Sequence, residues 1–552
     1  MKTRLGVENR NLNSFYQTNT ARQKQDNISK EKDINFQGAG IGSALLFAIQ
    51  ECERNPMINV AVIDMFSAIL PRTFVESMTN WFAGFEAFRR EFSGLFVNCL
   101  IPGVITLGVA TGLNKFIMPK GIKMANCWAD HSLIDKATSL YSKSNANDKI
   151  KDSLREILAN IEVTHGGKPK PNVVFKNVLS EEEIIKYADK LKELTTSNLK
   201  SKDISKEVEK IAKEIAEKTH VYENIKINGS KDVKASTVKS LLDDTVKYFK
   251  EFQKVDKHIS IEEFAKQSKK LVKGKSILGL AIILPLAASM QYINRWITKK
   301  ISGVDGAPIY EDFGKEQNEE VRKKSQEGLL KQKIISISSM IGVSLLSMMK
   351  KPTWSMLEFK GLFPTMDQAR VISTTTFASR MAVADDKNEL SEATIRDIAT
   401  FSGLYFLGDY AGKAAATLVQ KKKGIELLND TNPLKEDAGV LKRFWHWVKD
   451  VNIKSSEEVV SKTKEALKGA KPTKEQEAII AKELKDAVNW RSGCQVANLG
   501  VSLILLGLIV PLWTRRNTKK KHAEALMQMQ EANSDKGIDV NNKSLELQKA
   551  QV

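Results

Sequence analysis

The sequence predicts an all-α protein: a hydrophobic helical bundle embedded in a membrane and carrying two water-soluble basic helical insertions. Three observations lead there. Residues 492–514 form a run of 23 without a charge, followed by Arg515, Arg516, Lys519, Lys520 and Lys521. At 1.5 Å per helical residue such a run crosses a hydrocarbon layer of about 30 Å. Apolar residues are clumped into a few runs of this kind, although the mean hydropathy of -0.29 is that of a soluble protein. Strand-like alternation bounded by hairpin turns is nearly absent.

The 552 residues exceed what one hydrophobic core organises, so several structural units are expected. A net charge of +19 suits anionic lipid headgroups or nucleic acid. The lysines are interspersed with glutamates, and no basic stretch alternates with stacking aromatics, so nucleic acid is not the expected partner. Cys52, Cys99, Cys127 and Cys494 lie far apart without a CxxC pair, which argues against structural zinc and against a disulfide framework. The polar, charged N-terminal stretch does not have the form of a cleavable signal peptide.

In chain order, residues 1–37 are rich in Asn, Gln, Lys and Ser and read as a disordered arm. Residues 38–129 form an N-terminal hydrophobic helical region. Its first two runs, 38–50 and 57–70, are too short to span, and Pro71 is expected to end the second. Gly38, Gly40 and Gly42 have GxGxG rather than GxGxxG spacing, so they suit close helix contact better than a phosphate loop. Phe74, Trp81, Phe82, Phe85, Phe88 and Phe92 form an aromatic face against Glu76, Glu86, Arg89 and Arg90, predicting an amphipathic helix. Residues 92–114 follow as the region's spanning candidate.

Residues 130–275 are a basic soluble helical insertion. Ser180 with Glu183 and Ser260 with Glu263 match the capping box. Ile204, Val208, Ile211 and Ile215 make a coiled-coil-like seam toward a partner helix. Residues 164–172 and Asn228-Gly229 read as connections. Residues 276–420 return to hydrophobic helices, with candidate spans at 276–294 and 334–349 and a weaker one at 389–420. Residues 421–491 are the second soluble insertion, with helix starts at Ser455/Glu458 and Thr473/Gln476. Residues 492–521 are the terminal membrane helix with its cationic stop, and 522–552 a polar tail.

Trp81, Trp128, Trp296, Trp354, Trp490 and Trp513 stand near the ends of apolar runs and are candidate interfacial anchors. Trp445 and Trp447 lie in a short basic and aromatic stretch, which fits either an interfacial helix or an ordinary packed one. Counting Lys and Arg does not orient the chain: Lys115, Lys120 and Lys123 follow one run, while Arg295, Lys299 and Lys300 follow another. Two readings escape that conflict, re-entrant hairpins or a large helical domain that never enters lipid.

Local signatures of chemistry are missing. His131, His165, His220, His258, His446 and His522 are scattered, so neither a metal site nor a cofactor is implied. Asp305, Glu311 and Asp312 lack the ligand alternation of a calcium loop. The polar groups inside apolar runs are Asp64, Asp409 and Lys413, the last two spaced to neutralise each other, with Gly408 and Gly412 alongside permitting close helix approach. The expected function is a non-enzymatic scaffold or accessory subunit in a bacterial inner or other cytoplasm-facing membrane. Its expected partners are anionic lipid and a protein bound through the insertions. The alternatives are a transporter or channel using the intramembrane carboxylates, and a soluble all-α interaction protein whose apolar runs form its core.

Overall fold

In a computed structural model the described residues are predominantly helical, 82% helix with few strands. The structure describes residues 48–53, 55–78, 81–165, 168–223, 225–227, 237–302, 328–348, 357–361, 363–385, 387–430, 434, 438–466, 474–514, 516–517 and 520. The arm, the 38–42 glycines, Asn228-Gly229, Asp305, Glu311, Asp312, Trp354, Thr473, Arg515, Lys519, Lys521 and the tail lie outside them.

Among the described residues five helices are long and apolar enough to cross a membrane. They are α1 (Pro56–Ser77), α2 (Trp81–Ile117), the apolar part of a 42-residue helix running Ile261–Ser302, a helix at Leu329–Met348, and the C-terminal Glu477–Thr514. The first is not among the candidate spans read from the sequence, because α1 does not stop at Pro71, and the weaker candidate at 389–420 is not among the five. A π-helical segment, Asp64–Ile69, precedes the proline, and the amide of Leu70 bonds back to the carbonyl of Met65. The widened turn sets Pro71 at the start of a new α-segment, where its missing N–H leaves no ladder bond unmade. Pro102 is accommodated in the same way, just after the π-segment Phe96–Leu100.

The first insertion leaves the end of α2 and has its own core. It comprises α3 (His131–Lys143), α4 (Lys149–Ala159), β1 (Ile161–His165), β2 (Lys168–Val174), α5 (Glu181–Thr196), α6 (Ser201–Thr219), β3 (Ile225–Ile227) and α7 (Val238–Gln253). The small sheet, ordered β2-β1-β3, occupies positions read from the sequence as a connection. Ile161, Val163, Ile225 and Ile227 supply a short alternation that buries one face, and the prolines of KPKPN fall on the edge strand β2, where no second ladder needs their amides. Ser180 and Glu183 cap each other reciprocally as expected, and Ser260 supplies the hydroxyl half of its box by accepting from the Glu263 amide. The seam Ile204, Val208, Ile211 and Ile215 is buried in this core.

The long helix α8 (Ile261–Ser302) joins the insertion to the bundle without a break. Phe264, Leu271 and Val272 belong to the insertion core, whereas Leu280, Ile283 and Ala287 pack within the bundle. Then follow α9 (Leu329–Met348), α10 (Met366–Ala382) and α11 (Lys387–Ser402), which continues through a π-segment Gly403–Leu407 into α12 (Gly408–Lys423). The second insertion contains β4 (Leu428–Asp430), α13 (Val440–Asp450), β5 (Val451–Ile453) and α14 (Ser456–Ala466). Finally α15 (Lys474–Ser502) runs on through a π-segment, Leu503–Ile509.

Pairwise contacts fix the directions. Arg89 meets Asn294 at one end of α2 and α8, while Gly274 approaches Leu113 at the other, so these helices are antiparallel. Asn59 meets Gln495, and Pro71 meets Gly507, so α1 and α15 are parallel. Both insertions therefore leave the bundle at the same end, where they touch. Glu458 of α14 accepts from the amide of Tyr222, and Lys464 pairs with Glu217 at 2.7 Å. The cations that conflict in the sequence do sit at opposite ends, with Lys115 and Lys123 beside the insertions and Arg295 to Lys300 at the far end.

The bundle is largely apolar on its outer surface and buries polar and charged side chains alongside its apolar core. Only 17% to 44% of each of the five apolar windows is buried, and Phe66, Phe74, Val104, Ile282, Leu346 and Leu512 point outward. Asn98, Thr106, Gln291, Asn294, Arg380 and Asp397 are instead buried between the helices.

A buried charged layer as the candidate functional site

The inward residues converge on one layer. Arg72 of α1 donates to Glu91 of α2 at 2.8 Å. Glu91 is also met at 3.3 Å by Arg380 of α10, which donates at 2.8 Å to Asp397 of α11. Arg396, beside it on α11, donates its Nε–H to the same oxygen of Asp397 at 3.0 Å and approaches Glu392 at 3.9 Å. Four helices are thus joined by alternating charges, with Arg380 and Asp397 almost fully buried. One turn nearer the far end, Arg89 donates to Asn294 and Thr298, Thr298 donates to Glu86 at 2.7 Å, and Arg295 pairs with Asp385 and Glu389. In a low-dielectric interior each charge needs such partners, since an isolated one would cost several kcal/mol.

Four π-segments border the hydrophobic core next to this layer. Ile69, Cys99, Leu404, Tyr405 and Leu506, one or two from each segment, share that core. A π-turn inserts one residue into the helix and re-aims the side chains after it, which is why such segments collect at functional sites. Asp64 opens the first of them, close enough to Glu91 and Arg380 to feel both charges, and makes no side-chain hydrogen bond among the described residues.

The other polar pair is arranged differently from the expectation. Asp409 and Lys413 do not bond to each other. Asp409 accepts from Asn498 of α15 at 3.0 Å. Lys413 donates at 3.0 Å to the carbonyls of Trp447 and Val448, closing the C-terminus of α13, and lies over the Tyr410 and Trp447 rings. The i,i+4 spacing put both on one helix, but helices on either side offered each a better partner. Gly408 and Gly412 do serve close approach: a Cβ on Gly408 would lie 2.1 Å from the Asn498 amide oxygen.

Of the candidate anchors, Trp81, Trp296 and Trp513 are exposed near helix ends, and Trp490 is exposed in mid-helix on α15, just before the uncharged run. Trp128 lies at the base of the first insertion, where the buried Lys275 ammonium stands 4.1 Å from its ring centre and donates to the Cys127 carbonyl. The Trp128 amide donates to Asp244, whose pKa burial pushes up to about 7, with Asp243 adding to the rise. This knot fixes the insertion to α8.

Arg72, Glu91, Arg380, Arg396 and Asp397 were missed as a group. Arg89, Arg90 and their neighbours looked like the wet face of an amphipathic helix, and the usable signal was that charges of both signs recur at matched depth in separate apolar segments. Among the described residues no group of three or more His, Cys, Asp or Glu side chains is placed to hold a metal ion. No protein-family model, curated protein or solved structure matches the chain.

Proposed function

We propose that this chain is an integral membrane protein acting without catalysis as a scaffold or accessory subunit, with its apolar helices in lipid and both insertions presented together on one side. The observation that carries this reading is the reversed distribution of polarity in the bundle. A helical protein living in water would bury Phe66, Phe74, Leu346 and Leu512 and expose its arginines, whereas here the reverse holds. The α8 rod and the Lys275 knot give the insertions a fixed attitude to the bundle, which suits holding a partner. Membranes from expressing cells, washed in alkaline carbonate and then in high salt, are expected to retain the protein through both washes. Release by carbonate would discard the reading.

A second reading, ion or proton translocation, is favoured by Asp64 in particular, a carboxylate without a hydrogen-bond partner among the described residues and beside a chain of charges. It predicts that Asp64→Asn abolishes cation flux into proteoliposomes while carbonate-resistant insertion is unchanged. Equal flux through the variant and the parent would exclude that role.

A further inference from the structure

The helix α13 presents an apolar stripe that nothing in the described chain covers. Leu441, Phe444, Trp445 and Val448 follow the i, i+3, i+4, i+7 spacing of one helix face, and Leu441, Phe444 and Trp445 are at least half exposed. The opposite face is the one held by the protein: His446 is buried against Asp430, and the Trp447 indole donates to Thr417 of α12 at 3.1 Å. Lys442 and Lys449 border the stripe on its Trp445 side and are exposed.

The position of α13 along the bundle identifies what covers it. Its last carbonyls are bonded by Lys413, one position past Gly412, and a Cβ on Gly412 would lie 3.1 Å from the carbonyl of Cys494 on α15. Cys494 stands at the start of the uncharged run 492–514. The helix thus lies at the depth where the apolar surface of the last span begins, one to two turns along α12 from exposed Lys421, Lys422 and Lys423, the last of which stands over the Trp490 ring. A helix of 11 residues is about 16 Å long. Its stripe therefore falls well short of the roughly 800 Å² per partner that a stable protein interface needs. Lipid has no such threshold, and aromatic residues flanked by lysines match the headgroup boundary.

We propose that α13 is an in-plane interfacial helix that sets Leu441, Phe444 and Trp445 at the headgroup–acyl boundary and binds anionic phospholipid through Lys442 and Lys449. This rests on the membrane reading above. It adds a lipid-selective contact outside the spanning helices, at the root of the second insertion.

The test uses the full chain reconstituted in phosphatidylcholine vesicles with and without phosphatidylglycerol. The fluorescence lost in Trp445→Phe isolates the Trp445 signal from the other tryptophans. That signal is expected to be quenched by lipids brominated near the headgroup and shielded from aqueous iodide. Brominated phosphatidylglycerol should quench it in preference to brominated phosphatidylcholine, and Lys442→Gln and Lys449→Gln should each lower that preference roughly five-fold. Quenching by iodide and not by bromolipid, in a protein still resistant to carbonate, would overturn the α13 proposal and leave the membrane reading standing. Protection from both quenchers would mean that a protein covers the stripe and would equally overturn it. Release of the whole protein by carbonate would remove both.

Discussion

Arg380→Ala is expected to destabilise the detergent-solubilised protein by about 3–5 kcal/mol, the usual cost of stripping one partner from a buried ion pair. The substitution leaves Asp397 with Arg396 alone and Glu91 with Arg72 alone, in a layer where the Arg380 and Asp397 side chains are 5% and 1% exposed. Asp397→Leu should do similar damage for the mirror-image reason. The double variant Arg380→Met with Asp397→Leu removes one charge of each sign, and Glu91 still has Arg72 while Arg396 still has Glu392. It is therefore expected to recover most of the loss, because a buried pair replaced by apolar side chains of similar size is often neutral. Denaturant unfolding followed by circular dichroism gives the three values and the coupling energy between the two sites. Single variants that each cost below about 1 kcal/mol would mean that water reaches the layer, as for a surface pair.

That layer also marks the limit of what could be read in the sequence. Helical character, the long apolar runs, the caps at Ser180 and Ser455 and the seam on α6 depend on residues close together along the chain, and all were legible. The continuity of α1 was hidden because the sequence rule for proline assumes an α-helical turn before it, whereas the π-segment at Asp64–Ile69 had already widened that turn. Glu91 and Arg380 are separated by 289 positions, so their pairing had no local trace. Asp409 and Lys413 do not bond directly to each other, for the opposite reason. Their spacing was suggestive, but Asn498 and the end of α13 lie within 3.0 Å of one or the other, and a buried polar group takes the partner that geometry brings nearest.

Where the two insertions meet, Glu458→Ala is expected to separate them. Glu458 closes the capping box of α14 by accepting from the Ser455 amide at 3.1 Å, and its other oxygen accepts from the amides of Tyr222 and Glu223. Losing the cap costs about 1 kcal/mol and depriving buried amides of their acceptor about 1–3 kcal/mol more. The loss should appear as faster hydrogen exchange in 221–223 and in α14, with the core of the first insertion unchanged. The same junction should depend on pH. Burial, together with Glu458 and Glu457, pushes the Glu223 pKa up to about 8, while Arg491 opposes the rise and Glu53 adds to it. His220 with Glu465 and Lys464 with Glu217 also face the contact. A carboxyl with a raised folded pKa binds its proton more tightly in the docked state. Docking is then favoured below the ordinary carboxylate range and loses that support as pH rises from about 4.5 to about 8. Exchange rates corrected for intrinsic chemistry should therefore show tighter docking at pH 6 than at pH 8.5. Glu223→Gln should be as protected at the higher pH as the parent is at the lower. If that variant keeps the full pH dependence, Glu223 is not the titrating group and the junction's dependence on pH lies with another carboxyl in the contact, of which Glu458, also raised by burial, is the nearest.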